Sequence, residues 1–464
     1  MTVTSAALAT DAGATRSASS QSIDEKRRTA IRGAFFSEYI DMFDIYLPVV
    51  ALAPVMFMFQ PKNLSPQMET VLASLVFITT LLGRPIGALI FGLVADRVGR
   101  RAASIYSVAG FGVITLLIGL LPGYETLGLA SYILLVLLRF LDGIFLGGGY
   151  TGAMPLAIEY AQKDKRGFVG GLIIAGFPAA YVSINLITML MFYLFPLDGP
   201  GSPYTVWGWR IPFIVGAALA GLLALYYVHK VSESEVWKKE AAAGAVQADT
   251  SPLSGLLSGK GGRDLLQVLL LMTGFWTTQN IITIYMPTGL LVKTLHLNGF
   301  ALTATLMICY TILFFSYIGS GLLGQMIGRR RFFVIAGPLI ATVGAWILYT
   351  LTVTPEMPFG TRVLLVSILA VIVTSPWGVI VTYINERFAT DVRATGFGIG
   401  FSLSVVIPSF YAFYMDWLSA LMPLALTPVA LLVVGGVIGT VGALIGPETK
   451  DVDFGTGHES RAPL

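Results

Sequence analysis

Three acidic residues, Glu38, Asp41 and Asp44, stand three positions apart inside one apolar run. Helical spacing therefore puts them on one face. A second apolar run carries Arg139 and Asp142, again three apart, and a third carries Arg84. A charge at mid-bilayer costs about 2.5–3.5 kcal/mol on insertion scales, so such residues default to function. A carboxylate desolvated alone takes up a proton readily, whereas one beside a guanidinium keeps its charge. The chemistry this pattern offers is reversible proton binding, with Asp44 and either Asp41 or Asp142 as carriers. Arg139 would tune its carboxylate neighbour and hold an anionic group of a solute. The plainer alternative is a permanent ion pair that only fastens the two runs together. Four acids face two arginines, so a cationic solute group would also find a partner, and the solute's charge stays open.

Composition says what must position these groups. The chain has 464 residues, of which 55% are hydrophobic and only 12% charged. A soluble domain carries roughly 25% charged residues, so the low figure indicates a membrane solvent. A helix needs about 20 apolar residues to cross the hydrocarbon. Runs of that kind predict spans near 34–59, 70–94, 102–121, 130–158, 168–195 and 209–230, then 265–288, 299–323, 332–353, 361–385, 395–418 and 424–446. The fold expected is an all-α membrane protein of twelve transmembrane helices. Residues 1–33 read as a disordered tail, 34–230 as one six-helix bundle and 231–264 as a polar linker. Residues 265–446 read as the second bundle and 447–464 as a closing tail. With the N-terminus in the cytoplasm, about 23 of the 29 basic residues fall inside, as the positive-inside rule requires. Both termini are then cytoplasmic, in a multi-pass inner-membrane protein.

The halves repeat. Gly92, Asp96, Gly99, Arg100 and Arg101 recur 229 positions later as Gly321, Gln325, Gly328, Arg329 and Arg330. Glu159 and Arg166 recur 227 positions later as Glu386 and Arg393. Six helices return the chain to the same side, so the copies are parallel, an architecture that places a solute site between them at mid-depth. Asp96, Arg97, Arg100 and Arg101, with Glu159, Arg166, Glu386 and Arg393, are expected to form a cytoplasmic gate. Gln325, standing where the repeat calls for an acid, should make the second copy weaker. Helices seven and ten have no matching acids, which assigns proton handling to the N-terminal half. Arg139, Tyr181, Asn185, Trp276, Gln279, Asn280, Tyr285 and Trp377 are the candidate substrate-binding residues. For the uncharged ones, hydrogen bonding between helices without solute contact is the rival role.

The stretch Gly83-Arg-Pro-Ile-Gly through Asp96-Arg-Val-Gly-Arg-Arg101 resembles the signature between the second and third helices of the major facilitator superfamily. Arg139-Phe-Leu-Asp-Gly143, continuing to Glu159 and Lys165-Arg166-Gly167, is similar to its fourth-helix signature. Trp209-Arg-Ile-Pro212, Glu386 with Arg393-Ala-Thr-Gly396, and Pro447-Glu-Thr-Lys450 extend the likeness over almost the whole chain. Arg84-Pro85, the first helix and the Trp-Arg-Ile-Pro segment look most like the metabolite:proton symporters, with aromatic-acid:proton symporters and sugar porters as rivals. The resemblance implies alternating access and proton coupling. The fifth-helix Gly-Pro signature of antiporters is missing; Gly176-Phe-Pro178 only approximates it.

Other classes are disfavoured. No G-x-x-x-x-G-K-[ST] loop is present, and the three histidines and single cysteine suggest no metal chemistry. The basic residues are scattered, unlike a nucleic-acid footprint. No cofactor is expected; the partners are protons, a small-molecule substrate and the bilayer, around a monomer. The leading expectation is proton-coupled symport of a small organic acid or related metabolite. An efflux antiporter, a carrier of a zwitterion or sugar, and a non-transporting sensor are the alternatives.

Overall fold

The computed structural model describes residues 4–62, 64, 66–242, 256–257 and 259–454. Parts of the expected linker and of the closing tail lie outside them. Among the described residues the regular structure is helical, and twelve helices are long and apolar enough to cross a membrane. They are α1 (Ile23–Phe59), α2 (Leu75–Arg97), α3 (Arg100–Leu120), α4 (Leu129–Tyr160), α5 (Lys163–Leu194) and α6 (Tyr204–Lys230). The second set is α7 (Gly259–Thr294), α8 (Gly299–Ile327), α9 (Arg329–Val353), α10 (Phe359–Arg387), α11 (Arg393–Ser419) and α12 (Leu424–Leu444). Several run past the expected apolar limits, because a helix keeps its hydrogen bonds beyond the hydrocarbon where charged residues meet water.

The opening helix is described from Thr4 to Leu47. Its alanine content and lack of proline favour this. Within the polar linker, Glu235–Ala242 is helical. Lys26 Nζ donates to Glu235 Oε1 at 2.9 Å, tying this helix to the start of α1. That hydrogen bond holds the Glu235 carboxyl below its ordinary value.

Glycines set the helix crossing that matters most for the charged residues. Gly83 and Gly87 on α2 pack against the backbone of Phe140 and Ile144 on α4. In return Gly143 and Gly147 on α4 lie against the carbonyls of Thr80 and Arg84. A Cβ at any of the four would collide with a backbone carbonyl oxygen. This close approach, of the small-xxx-small kind, brings Arg84 beside the helix that carries Arg139 and Asp142.

The repeat is visible at two corners. Gly99 and Gly328 precede α3 and α9 with φ of 128° and 105°, values suited to glycine. Each corner receives a carboxylate from a later segment. Glu233 accepts from the Arg100 and Arg101 amides, both at 3.0 Å. Glu448 accepts from the Arg329 and Arg330 amides at 2.8 and 3.1 Å. An anion thereby satisfies the free N–H groups and the dipole of each helix start. The first helices of both halves loosen into wider π-type turns toward the opposite end, at Pro48–Leu52 in α1 and Ile281–Thr294 in α7. Pro48 and Pro287 lie in those turns, and each removes a backbone donor.

Gly143→Val should destabilise the α2–α4 crossing by about 1–3 kcal/mol, the usual cost of overpacking. Thermal unfolding in detergent should show a lowered midpoint, while Gly221→Val, where a Cβ meets nothing, should leave it unchanged.

Candidate functional site

Two charged layers cross the molecule at different depths. The deeper one combines α1, α2, α3 and α4. Arg139 Nη1 faces Asp142 Oδ2 at 2.7 Å and Asp44 Oδ2 at 3.2 Å, so two carboxylates share one guanidinium nitrogen. Thr115 Oγ1 on α3 donates to Asp44 Oδ1 at 2.6 Å. All four side chains are buried. The group carries one negative charge in excess, which a single proton would cancel. A few ångströms of helix away, Arg84 Nη2 pairs with Asp41 Oδ2 at 2.7 Å, and its guanidinium lies 4.9 Å from the centre of the Tyr150 ring. The Tyr150 hydroxyl bonds to Ser402 Oγ on α11, linking this group to the C-terminal half.

Beside these groups is a cavity of about 40 Å³, room for a few water molecules. Its wall takes Glu38, Tyr46 and Arg84 from the first half and Trp276, Gln279, Asn280 and Trp377 from the second. Tyr46, Phe77, Leu81, Thr283 and Ile284 are shared with a larger apolar cavity of about 390 Å³. That one reaches Pro287, Tyr411 and Phe413, on the side away from the termini.

The expected substrate-binding residues divide. Trp276, Gln279, Asn280 and Trp377 line the central cavity. Trp276 Nε1 donates to the Phe401 carbonyl at 2.9 Å and Asn280 Nδ2 to that of Pro408 at 3.0 Å, so both also hold α11. Arg139, Tyr181, Asn185 and Tyr285 are not on the wall. Arg139 is engaged behind it, and Tyr181 stacks on Tyr310 at 3.9 Å. Asn185 donates to the carbonyl of Tyr181 in its own helix. Expectation placed a solute anion on Arg139; the guanidinium that reaches the cavity is Arg84, because the rotation of α4 turns Arg139 toward α1.

The second layer lies at the face of the termini. Asp96 accepts from the Ala394 and Thr395 amides at 3.2 and 2.9 Å and from Thr395 Oγ1 at 2.6 Å, capping the start of α11. Arg100 donates to the Thr390 carbonyl at 2.7 Å and pairs with Asp96 at 3.2 Å. Glu159 pairs with Arg393 at 2.7 Å across the halves. The second copy reproduces much of this. Glu386 pairs with Arg329 at 3.0 Å and Arg166 at 3.7 Å, and Gln325 Oε1 accepts from the Gly167 amide at 2.9 Å. The side-chain amide of Gln325 thus makes two cross-half bonds, the second from its Nε2 to the Lys163 carbonyl at 3.3 Å, where Asp96 makes three. Arg97 is exposed, and Arg101 bonds to the Tyr227 and Val228 carbonyls of its own half.

Several members of this layer were not foreseen. Ser234 bonds to Glu159 and Thr449 to Glu386, each next to a capping acid, Glu233 or Glu448. The signal was available: Glu-Ser and Glu-Thr pairs follow the sixth and twelfth spans. The closing segment also returns to the first half. Arg166 Nη1 donates to the Val452 carbonyl at 2.7 Å, and Lys163 pairs with Asp453 at 3.0 Å. The Phe454 ring lies 3.6 Å from the Arg166 guanidinium and 4.0 Å from that of Arg393. No spacing rule marks Phe454 in the sequence.

Two repeated bundles of apolar helices, closed on one face and enclosing a charged cavity, define a multi-pass membrane carrier. The chain belongs to the Major Facilitator Superfamily, which it matches over residues 34–412, and is a transporter. It is 30% identical over 402 residues to the inner membrane metabolite transport protein YhjE of Escherichia coli K12, covering 84% of this chain and 88% of that one. It is 27% identical over 447 residues to the proline/betaine transporter of the same organism, covering 92% and 85%. The proton:xylose symporter XylE bound to 6-bromo-6-deoxy-D-glucose shares the fold, with a TM-score of 0.71 at 19% identity over 92% of this chain and 97% of that one.

Hydrogen bonds to a charged group contribute about 1.5–3 kcal/mol each, so Asp96→Ala should lower the closed-to-open ratio of this face at least tenfold. Pulsed electron-spin distances between labels at Asp164 and Asp391 should show a longer, newly populated separation; an unchanged distribution would deny Asp96 a holding role.

Proposed function

We propose that this protein is a proton-coupled symporter of a small organic acid or related metabolite, residing in the inner membrane with both termini in the cytoplasm. The observation that carries the reading is the sharing of Arg139 by Asp44 and Asp142. Two carboxylates on one guanidinium nitrogen leave a buried excess charge that one proton relieves. The relatives named for metabolite and proline/betaine transport, and the fold shared with a proton:xylose symporter, support it.

In the cycle, the latch of Asp96, Arg100, Glu159, Arg166, Glu386 and Arg393 is closed and the apolar vestibule lies on the outer side. A proton reaches Asp44 or Asp142, and the solute enters the central cavity. A carboxylate of the solute meets Arg84, competing with Asp41 for that guanidinium. With the buried charge relieved, the halves rock about the site and the latch opens toward the cytoplasm. The alternating-access cycle then releases the solute first and the proton as Arg139 reclaims both carboxylates. Lipid surrounds the apolar exterior, and the monomer contains the whole pathway.

The test is uptake into proteoliposomes under an inward proton gradient. Asp44→Asn should abolish gradient-driven accumulation, by a factor of at least a hundred, yet leave counterflow exchange of the same solute measurable. Accumulation that survives the substitution would refute the assignment of the proton site, and extrusion in place of uptake would refute symport.

A further inference from the structure

Glu38 is the one member of the acidic face on α1 that the mechanism above leaves unused. It is 3% exposed and lies on the wall of the central cavity, and its Oε2 has no hydrogen-bond partner among the described residues. Arg84, the nearest cation on the same wall, is taken by Asp41 at 2.7 Å. Glu38, Asp41 and Arg84 together therefore carry a second excess negative charge, separate from the one shared by Asp44, Asp142 and Arg139. A buried carboxylate without a partner is costly, and a cation supplied by the solute would remove that cost.

The rest of the wall suits a cation as well. Trp276, Trp377 and Phe401 form a cluster with ring centres 4.4–5.7 Å apart, and Tyr46 and Phe177 stack at 5.5 Å. All five rings line the cavity with Glu38. Aromatic faces around a desolvated carboxylate are the surroundings that hold an ammonium or quaternary nitrogen. The same wall also has donors for an anion. The Nε of Arg84 and the Nε1 of Trp377 are buried and have no acceptor among the described residues. A plain anion would add a third uncompensated negative charge to the chamber, whereas a molecule with both charges adds none.

We infer that the central cavity takes a small zwitterion, whose cationic nitrogen is held by Glu38 and the aromatic rings and whose carboxylate faces Arg84 and Trp377. This rests on the reading of the chain as a solute symporter and narrows its substrate class. The wall shared with the outer vestibule of about 390 Å³ gives the zwitterion a way in.

The experiment measures equilibrium binding to the purified protein without any gradient, using four probes. Glycine betaine carries both charges; 3,3-dimethylbutanoate has the same shape without the cation; choline has the cation without the carboxylate. Proline is a fourth, less bulky zwitterion. Wild type should bind at least one zwitterion tenfold or more tighter than either singly charged probe. Glu38→Gln should cost that zwitterion at least tenfold while leaving 3,3-dimethylbutanoate unchanged or tighter, and Glu38→Asp should restore part of the preference. Unfolding midpoints of both variants serve as the check on folding. Binding of neither zwitterion, equal or tighter binding of a singly charged probe, or an unchanged preference in Glu38→Gln would overturn the inference. Zwitterion binding with no gradient-driven uptake would sink the symport reading alone. Gradient-driven uptake of 3,3-dimethylbutanoate with no zwitterion bound would sink the substrate class alone.

Discussion

The structure depends on one arrangement: a buried guanidinium, Arg139, serving two carboxylates that cannot both be fully compensated. In water such an imbalance would be screened and of little consequence. Inside a bundle surrounded by hydrocarbon it is expensive, and the expense can be met only by a proton or by movement of the groups. Thr115 fixes Asp44 from α3, and the glycine crossing of α2 and α4 brings Arg84 up to Asp41. The two clusters therefore sit in one chamber, each one charge short of neutrality. On the proposed reading, each passenger binds through the charge it brings.

In the proposed cycle the second layer converts that local balance into a position of the two halves. Asp96 reaches the start of α11 and Glu159 reaches Arg393, so the closed face is held by charged hydrogen bonds that break together when the halves separate. The duplicated corners make the device symmetric in plan and unequal in strength. Both have a glycine, a capping glutamate and a hydroxyl bonded to the membrane-end acid. Only the first copy has a carboxylate, Asp96, where the second has Gln325. The closing segment adds a strap, with Phe454 between two arginines that themselves belong to different halves.

Much of this was legible in the sequence, for physical reasons that differ by feature. The spans could be read because the bilayer demands long apolar runs, and the halves because two glycines and two arginines recur at one offset. That Glu38, Asp41 and Asp44 share a face, and Arg139 and Asp142 another, could be read because helical spacing is fixed. Their azimuth could not. One residue turns a helix by about 100°, so the sequence reading put Arg139 on the cavity, where the structure has Arg84. The same limit hid Tyr181, Asn185 and Tyr285 away from the wall. Contacts that close over long separations, such as Arg166 with Val452 or Asp41 with Arg84, depend on how helices cross, which composition does not encode.

The central claim, that Asp44 and Asp142 share a proton on Arg139, is tested most directly by infrared difference spectroscopy of the protein in lipid through a pH titration. The account predicts one protonated-carboxyl stretch that appears on acidification and vanishes in both Asp44→Asn and Asp142→Asn, with the band shifted but present in Asp41→Asn. A titrating band that persists in the first two variants, or none in the wild type, would contradict it.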